Sequence, residues 1–165
     1  MKYLRAKDNN CYYLSNLQSR LFEKSSEDGI PSAYFAKVFF NSKYGKMFDD
    51  LSFLDTSLNE KHVYEETKQL VNMNHGTIIP PHIMGWIGYL LREWAYVYRY
   101  SSNALLGKIP MSYLKDVYEP YHSLDINKAI QLIALDRNIN IKETLEDRTY
   151  RILKETSKEL SLNDK

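Results

Sequence analysis

Thiols, imidazoles and paired carboxylates carry much enzymatic chemistry, and in this chain they are few and scattered. The one cysteine, Cys11, has no histidine or acid indicated as its partner, so it reads as a small apolar filler and not as a nucleophile. The four histidines are His62, His75, His82 and His122, and no two stand at the helical spacing that aims a pair at one metal ion. His62 does precede Glu65 and Glu66 by three and four residues, so the three could share a helix face and form the core of a small metal-dependent enzyme. In a chain with 21 acidic residues that juxtaposition arises readily by chance. His122 has Asp125 three residues on, but an aspartate there serves better as the cap of the helix that follows. Gly85 and Gly88 fall inside a helical pattern, not between a strand and a helix, so they make no phosphate loop. Their expected role is steric, letting another helix approach the Trp86 turn. The expectation is a protein without catalytic residues, metal or cofactor.

Tyrosine usage stands above background, with fourteen in the chain. At helical spacing Gly85, Tyr89, Arg92, Tyr96 and Arg99 align along one edge, opposite an aliphatic stripe, so that guanidinium groups alternate with phenols. Three uses fit such an edge. Tyr89, Arg92, Tyr96 and Arg99 could cover a protein partner, because both residue types bury large area while a polar tip stays satisfied. They could hold single-stranded nucleic acid, bases on the phenols and phosphates on Arg92 and Arg99. They could also pair with one another as cation-π contacts at the rim of a nearly buried helix.

The elements that would position these residues are helical. Leu14, Leu17 and Leu21 predict a helix over 12–28, closed by Gly29. Ser32 is the expected N-cap of a second helix carrying Phe35, Val38 and Phe39 and fading near Gly45. A third is expected from about Asn59 to before Gly76. Pro80 and Pro81 open the strongest pattern, in which Ile83, Ile87, Leu90, Leu91, Trp94, Val97 and Tyr98 share a face, a central helix over about 81–100. Shorter turns follow from Ser102, then a helix opened by Pro110 and ended by Pro120, then one capped by Asp125 through Ile133. The last helix, about 141–160, carries Leu145, Ile152, Leu153 and Leu160 among mixed charges, with Asp147 four residues before Arg151. It is expected to pack on the core, the other arrangement being a projecting arm. Strand signals are confined to pairs such as Ile78 and Ile79.

At 165 residues, with no repeat and no Gly/Ser linker, the chain has room for one domain. Apolar residues at 44% and charged residues at 26% are globular proportions. The reading is all-α: a compact multi-helix bundle around the helix at 81–100, one domain over 1–165. Lys plus Arg number 22 against 21 acids, a net charge of +1, so no global field favours a polyanion. The uncharged stretch 69–91 is broken by Asn, His and Pro, leaving too short an apolar run to span a bilayer. With one cysteine and no leader pattern, a reducing cytoplasm is expected.

The stretch Met84-Gly85-Trp86-Ile87-Gly88-Tyr89-Leu90-Leu91-Arg92-Glu93-Trp94, followed by Ser101-Ser102, Ile109-Pro110 and Tyr121-His122-Ser123-Leu124-Asp125, resembles a family of small, functionally uncharacterised all-α proteins of Gram-positive bacteria. Those proteins share an aromatic helix, a Ser-Ser turn and a Tyr-His-Ser-Leu-Asp type turn. Leu91 and Glu93 stand where aromatic residues are commoner. The likeness covers about 17–133. The part from Ser101 to Ile133 is also similar to short helical proteins encoded beside ADP-ribosyltransferase-like toxins in toxin-antitoxin loci. That likeness implies a non-enzymatic, antitoxin-like or defence-accessory role, with a toxin or defence component as protein partner. The alternative is a nucleic-acid-binding regulator using the helices over 102–117 as a helix-turn-helix, which the balance of Lys108 and Lys115 against Asp116 and Glu119 disfavours.

Overall fold

The computed structural model describes residues 4–72, 74–141 and 145–163; in the last helix, side chains are described at 149, 150 and 152–161. Met73, Leu145 and the Asp147 and Arg151 pair of the sequence reading lie outside the described backbone or side chains. Ten α-helices and one 3-10 turn follow one another with no strand among the described residues. In chain order they are α1 (Asn9–Glu27), α2 (Ser32–Asn41), α3 (Lys43–Asp50), the 3-10 turn (Ser52–Asp55), α4 (Glu60–Gln69), α5 (Pro81–Tyr98), α6 (Ser102–Lys108), α7 (Met111–Asp116), α8 (Tyr118–Tyr121), α9 (Ile126–Asp136) and α10 (Leu145–Asn163). The all-α expectation holds, and the central helix sits where the double proline placed it.

The most extensive pairing is α1 against α5. Leu14, Leu17, Gln18, Leu21 and Phe22 of α1 are buried against α5, whose residues from Met84 to Val97 are nearly all buried too. A Cβ on Gly88 would come within 2.9 Å of both the Gln18 carbonyl oxygen and the Phe22 ring, while one on Gly85 would stand 3.3 Å from the Ser19 hydroxyl. The missing side chains therefore set the close approach of the two helices, as the spacing suggested. Phe22 then meets Phe35, Phe39 and Phe40 of α2, with centroids 5.6 to 5.9 Å apart. One continuous core of buried residues runs from Cys11 to Ile139.

Local chemistry explains the boundaries. Asp8 caps α1 by accepting the Cys11 amide at 3.0 Å. Ser42 ends α2 by donating to the Phe39 carbonyl at 2.6 Å and starts α3 by accepting the Gly45 amide at 3.3 Å. Helical structure thus continues past Gly45, where the sequence suggested that it fades. Asp125 caps α9 as expected, accepting from Asn127, and Asn59, where a helix start was expected, caps α4 by accepting from His62. Ser32 is not the N-cap of α2. Pro31 holds that position, and the Ser32 hydroxyl instead accepts the Ile79 amide at 2.8 Å. Pro120 lies within α8 and does not close α7. Segment 77–79, where the pair Ile78 and Ile79 gave a strand signal, forms no strand; it lies beside the start of α2, with the Ser32 amide bonded to the Thr77 carbonyl at 3.0 Å.

The expectation that the last helix packs on the core does not hold for its described residues. Every described side chain of α10 is exposed, including Ile152, Leu153 and Leu160 at 47%, 62% and 62%. No helix among the described residues is long and apolar enough to cross a membrane.

Candidate interaction faces

The four residues read as one free edge of the central helix have different fates. Arg92 is fully buried. Its Nη1 donates to Asp49 Oδ1 at 2.7 Å, its Nε to Gln18 Oε1 at 2.9 Å and its Nη2 to Ser102 Oγ at 2.9 Å. Phe48 lies 5.4 Å below the guanidinium. Gln18 completes the network by donating to the Gly88 carbonyl at 2.9 Å. Burial lowers the proton affinity of Arg92 and the Asp49 carboxylate opposes that effect; such a cation is retained inside only because its donors are met. This network ties α1, α3, α5 and α6 together, so Arg92 has no face to offer a partner.

Tyr96 is also buried, at 2% exposure. Its hydroxyl donates to Asp8 Oδ1 at 2.7 Å, and Arg5 covers its ring at 4.8 Å. Burial first, and then the Asp8 carboxylate, push its phenol above its ordinary range. Tyr89 is half-buried, its phenol raised to about 12 by burial and by nearby Glu93. Arg99 is half-buried and ends α5 in the left-handed region at φ 57°. The expected partner face at Tyr89, Arg92, Tyr96 and Arg99 is therefore corrected at its centre, where two of the four side chains build the interior. An arginine at helical spacing among tyrosines does not reveal whether a carboxylate from another helix will meet it.

Beside Arg92 lies a second buried charge that the sequence reading did not single out. Glu93 is 1% exposed, the Lys7 ammonium closes on its Oε1, and its Oε2 meets no donor among the described residues. Burial raises its pKa, with Lys7 acting in the opposite sense. Cys11 is buried nearby and its thiol is raised to about 11 by desolvation and then by Glu93, which removes the thiolate that nucleophilic chemistry would need.

The histidines assemble no catalytic set. His62 Nε2 stands 2.7 Å from Glu66 Oε1, while Glu66 Oε2 accepts from the Tyr44 hydroxyl at 2.6 Å and pairs with Lys43 at 2.9 Å. The Tyr44 and Lys43 hydrogen bonds hold the Glu66 carboxyl down at about 2. Glu65 faces solvent and is not part of this group. His122 stacks on Tyr118 at 4.4 Å, and its Nδ1 is 2.9 Å from the Tyr118 carbonyl, which assigns the proton to that nitrogen. Among the described residues, no group of three or more His, Cys, Asp or Glu is disposed to hold a metal.

Among the described residues, the outward-facing features include the exposed side chains of α10 and several clefts, two of them large. The first, of about 780 Å³, lies between the start of α2, segment 75–79 and the α6 to α7 elbow. The second, of about 1070 Å³, lies between residues 4–6, α9 and residues 138–141, beside the 81% exposed Leu135. No family model, curated protein or solved structure matches the chain.

Proposed function

We propose that this chain is a non-enzymatic protein-protein interaction module, antitoxin-like or accessory to a defence system, that contacts its partner through α10. The observation that carries the reading is the exposure of Ile152, Leu153 and Leu160 on one long helix interspersed with lysines and glutamates. Amphipathic helices of this kind bury their apolar face in a groove of a second protein, with anchors at i, i+3, i+4 and i+7 spacing. The absence of a convergent catalytic set among the described residues agrees with it, as does the resemblance of 101–133 to proteins encoded beside toxins. The Arg92 network then serves as the rigid support of the module.

The test is co-expression of the chain with the product of its adjacent gene, followed by co-purification and calorimetry. Binding that falls at least tenfold in the Leu153→Glu, Leu160→Glu double variant, with an unchanged melting temperature, supports the reading. Equal binding by variant and parent, or no complex at all, overturns it.

A further inference from the structure

The cleft at the start of α2 is built from three distant parts of the chain. Ser32 fixes it from two sides, its amide on the Thr77 carbonyl and its hydroxyl under the Ile79 amide. The Ser26 hydroxyl holds the Ile79 carbonyl, and the Tyr34 hydroxyl bonds Asn72, so Asn72 and residues 77–79 are pinned beside α2. The opposite wall is the turn from Leu106 through Pro110 to Met111. Ile79 and Met111, 3% and 6% exposed, give the cleft an apolar floor. Its volume of about 780 Å³ is in the range of built ligand pockets.

Exposed lysines near α2 to α4 are of two kinds, some held in ion pairs and others, such as Lys46 and Lys61, without one among the described residues, and the rim of this cleft carries two of the second kind facing one enclosed space. Lys24 and Lys68 are matched by Asp28, and Lys43 by Glu66. Lys37 and Lys115, on opposite walls of the cleft, have no acidic partner among the described residues. Asp116 is the one carboxylate in the lining, beside two ammonium groups and His75. A purely apolar or neutral occupant would cover these lysines without pairing them, and desolvating an unpaired cation is unfavourable. A free inorganic anion would pair with them but leave the apolar floor wet. An occupant with carboxylates at its ends and an aliphatic or aromatic anchor between them satisfies both surfaces.

We infer that this cleft docks a short acidic segment of a partner protein, its apolar side chain on Ile79 and Met111 and its carboxylates on Lys37 and Lys115. The site is separate from α10 and stands whether or not the α10 reading does.

The experiment titrates ¹⁵N-labelled full-length protein with three probes: the blocked peptide Glu-Leu-Asp-Trp-Glu-Leu-Asp, its Gln and Asn counterpart, and inorganic phosphate. The expected result is saturable shifts at the amides of Ala33, Tyr34, Leu106 and Met111 with the acidic peptide alone. Affinity should fall at least tenfold in the Lys37→Gln, Lys115→Gln variant, whose melting temperature stays unchanged because both side chains are exposed. The same affinity should persist in the Leu153→Glu, Leu160→Glu variant, which separates this site from α10. Equal binding of the neutral peptide, phosphate shifting the same amides and displacing the peptide, no shifts in the cleft, or an unchanged affinity in the double glutamine variant would each overturn the inference.

Discussion

One Asp49 carboxylate serves two elements: Oδ1 takes the Arg92 guanidinium at 2.7 Å, and Oδ2 takes the Ser102 amide at 3.0 Å. The same Oδ1 also accepts the Ser102 hydroxyl at 2.5 Å. A buried cation and the first turn of α6 thus share an anchor on α3. Removing one member of such a set leaves the others desolvated and unpaired, which costs roughly 3–5 kcal/mol at fully buried sites. Because the Asp49 side chain is 23% exposed, the expected loss for Arg92→Ala is about 3 kcal/mol, the lower end of that range. Urea denaturation checks this, and a double-mutant cycle with Asp49→Asn should return a coupling above about 1 kcal/mol. A loss under about 0.5 kcal/mol, as at ordinary surface sites, would mean that Arg92 is not the tie described here.

The two glycines of α5 should respond differently to the same added methyl group. Gly88→Ala forces a carbon to within 2.9 Å of the Gln18 carbonyl oxygen, which belongs to the backbone of α1 and cannot rotate away. Overpacking of this kind costs about 1–3 kcal/mol, partly offset by about 1 kcal/mol of helix propensity. Gly85→Ala meets the Ser19 hydroxyl at 3.3 Å and the Glu23 side chain at 3.5 Å, both able to move. Thermal melts should therefore show Gly85→Ala neutral or stabilised and Gly88→Ala lowered by several degrees. The reverse order would show that the α1 to α5 approach is not set at Gly88.

These two helices also mark what the amino-acid pattern made legible. The stripe from Ile83 to Val97, the small residues at Gly85 and Gly88, the helix start near Asn59 and the cap at Asp125 each act through neighbours within one or two turns. Their consequences could accordingly be read locally. Burial of Arg92 depends on Asp49 and Gln18, which are 43 and 74 residues away in the chain, and no periodicity reports such a meeting. The continuation of helix past Gly45 was missed for a related reason. The Ser42 hydroxyl ends one helix and begins the next, through contacts that the spacing of apolar residues does not report. The cleft at the start of α2 gave no signal, since its walls come from three separated segments of ordinary composition.

Glu93 should give the protein a pH dependence of definite sign. Its pKa is raised above the ordinary 4.5 by burial, with Lys7 opposing, so the native state keeps a proton that the unfolded chain releases. The associated stabilisation is fully present below about pH 4.5 and is lost as pH rises through the folded value. Glu93→Gln cannot ionise, so the stability of the parent relative to this variant should fall progressively between pH 4.5 and neutrality. Lys7→Gln, which removes the opposing ammonium, should make that fall steeper. Urea midpoints measured across this range test both statements, and a constant difference would show that Glu93 ionises as freely in the folded protein as in the unfolded chain.

The exposure of the described side chains of α10 leads to the prediction that the rest of the molecule does not depend on it. Leu153 and Leu160 remain more than half in water and Ile152 nearly half, so deleting them removes little of the burial that drives folding. A chain ending at Ile141 should show a urea midpoint equivalent to within about 0.5 kcal/mol of the parent, the scale of surface changes. Its denaturant slope should also be nearly unchanged, because that slope follows the surface newly exposed on unfolding. A drop of about 2 kcal/mol or more would mean that α10 folds back onto the body in solution. In that case Ile152, Leu153 and Leu160 would be core residues and unable to meet a partner.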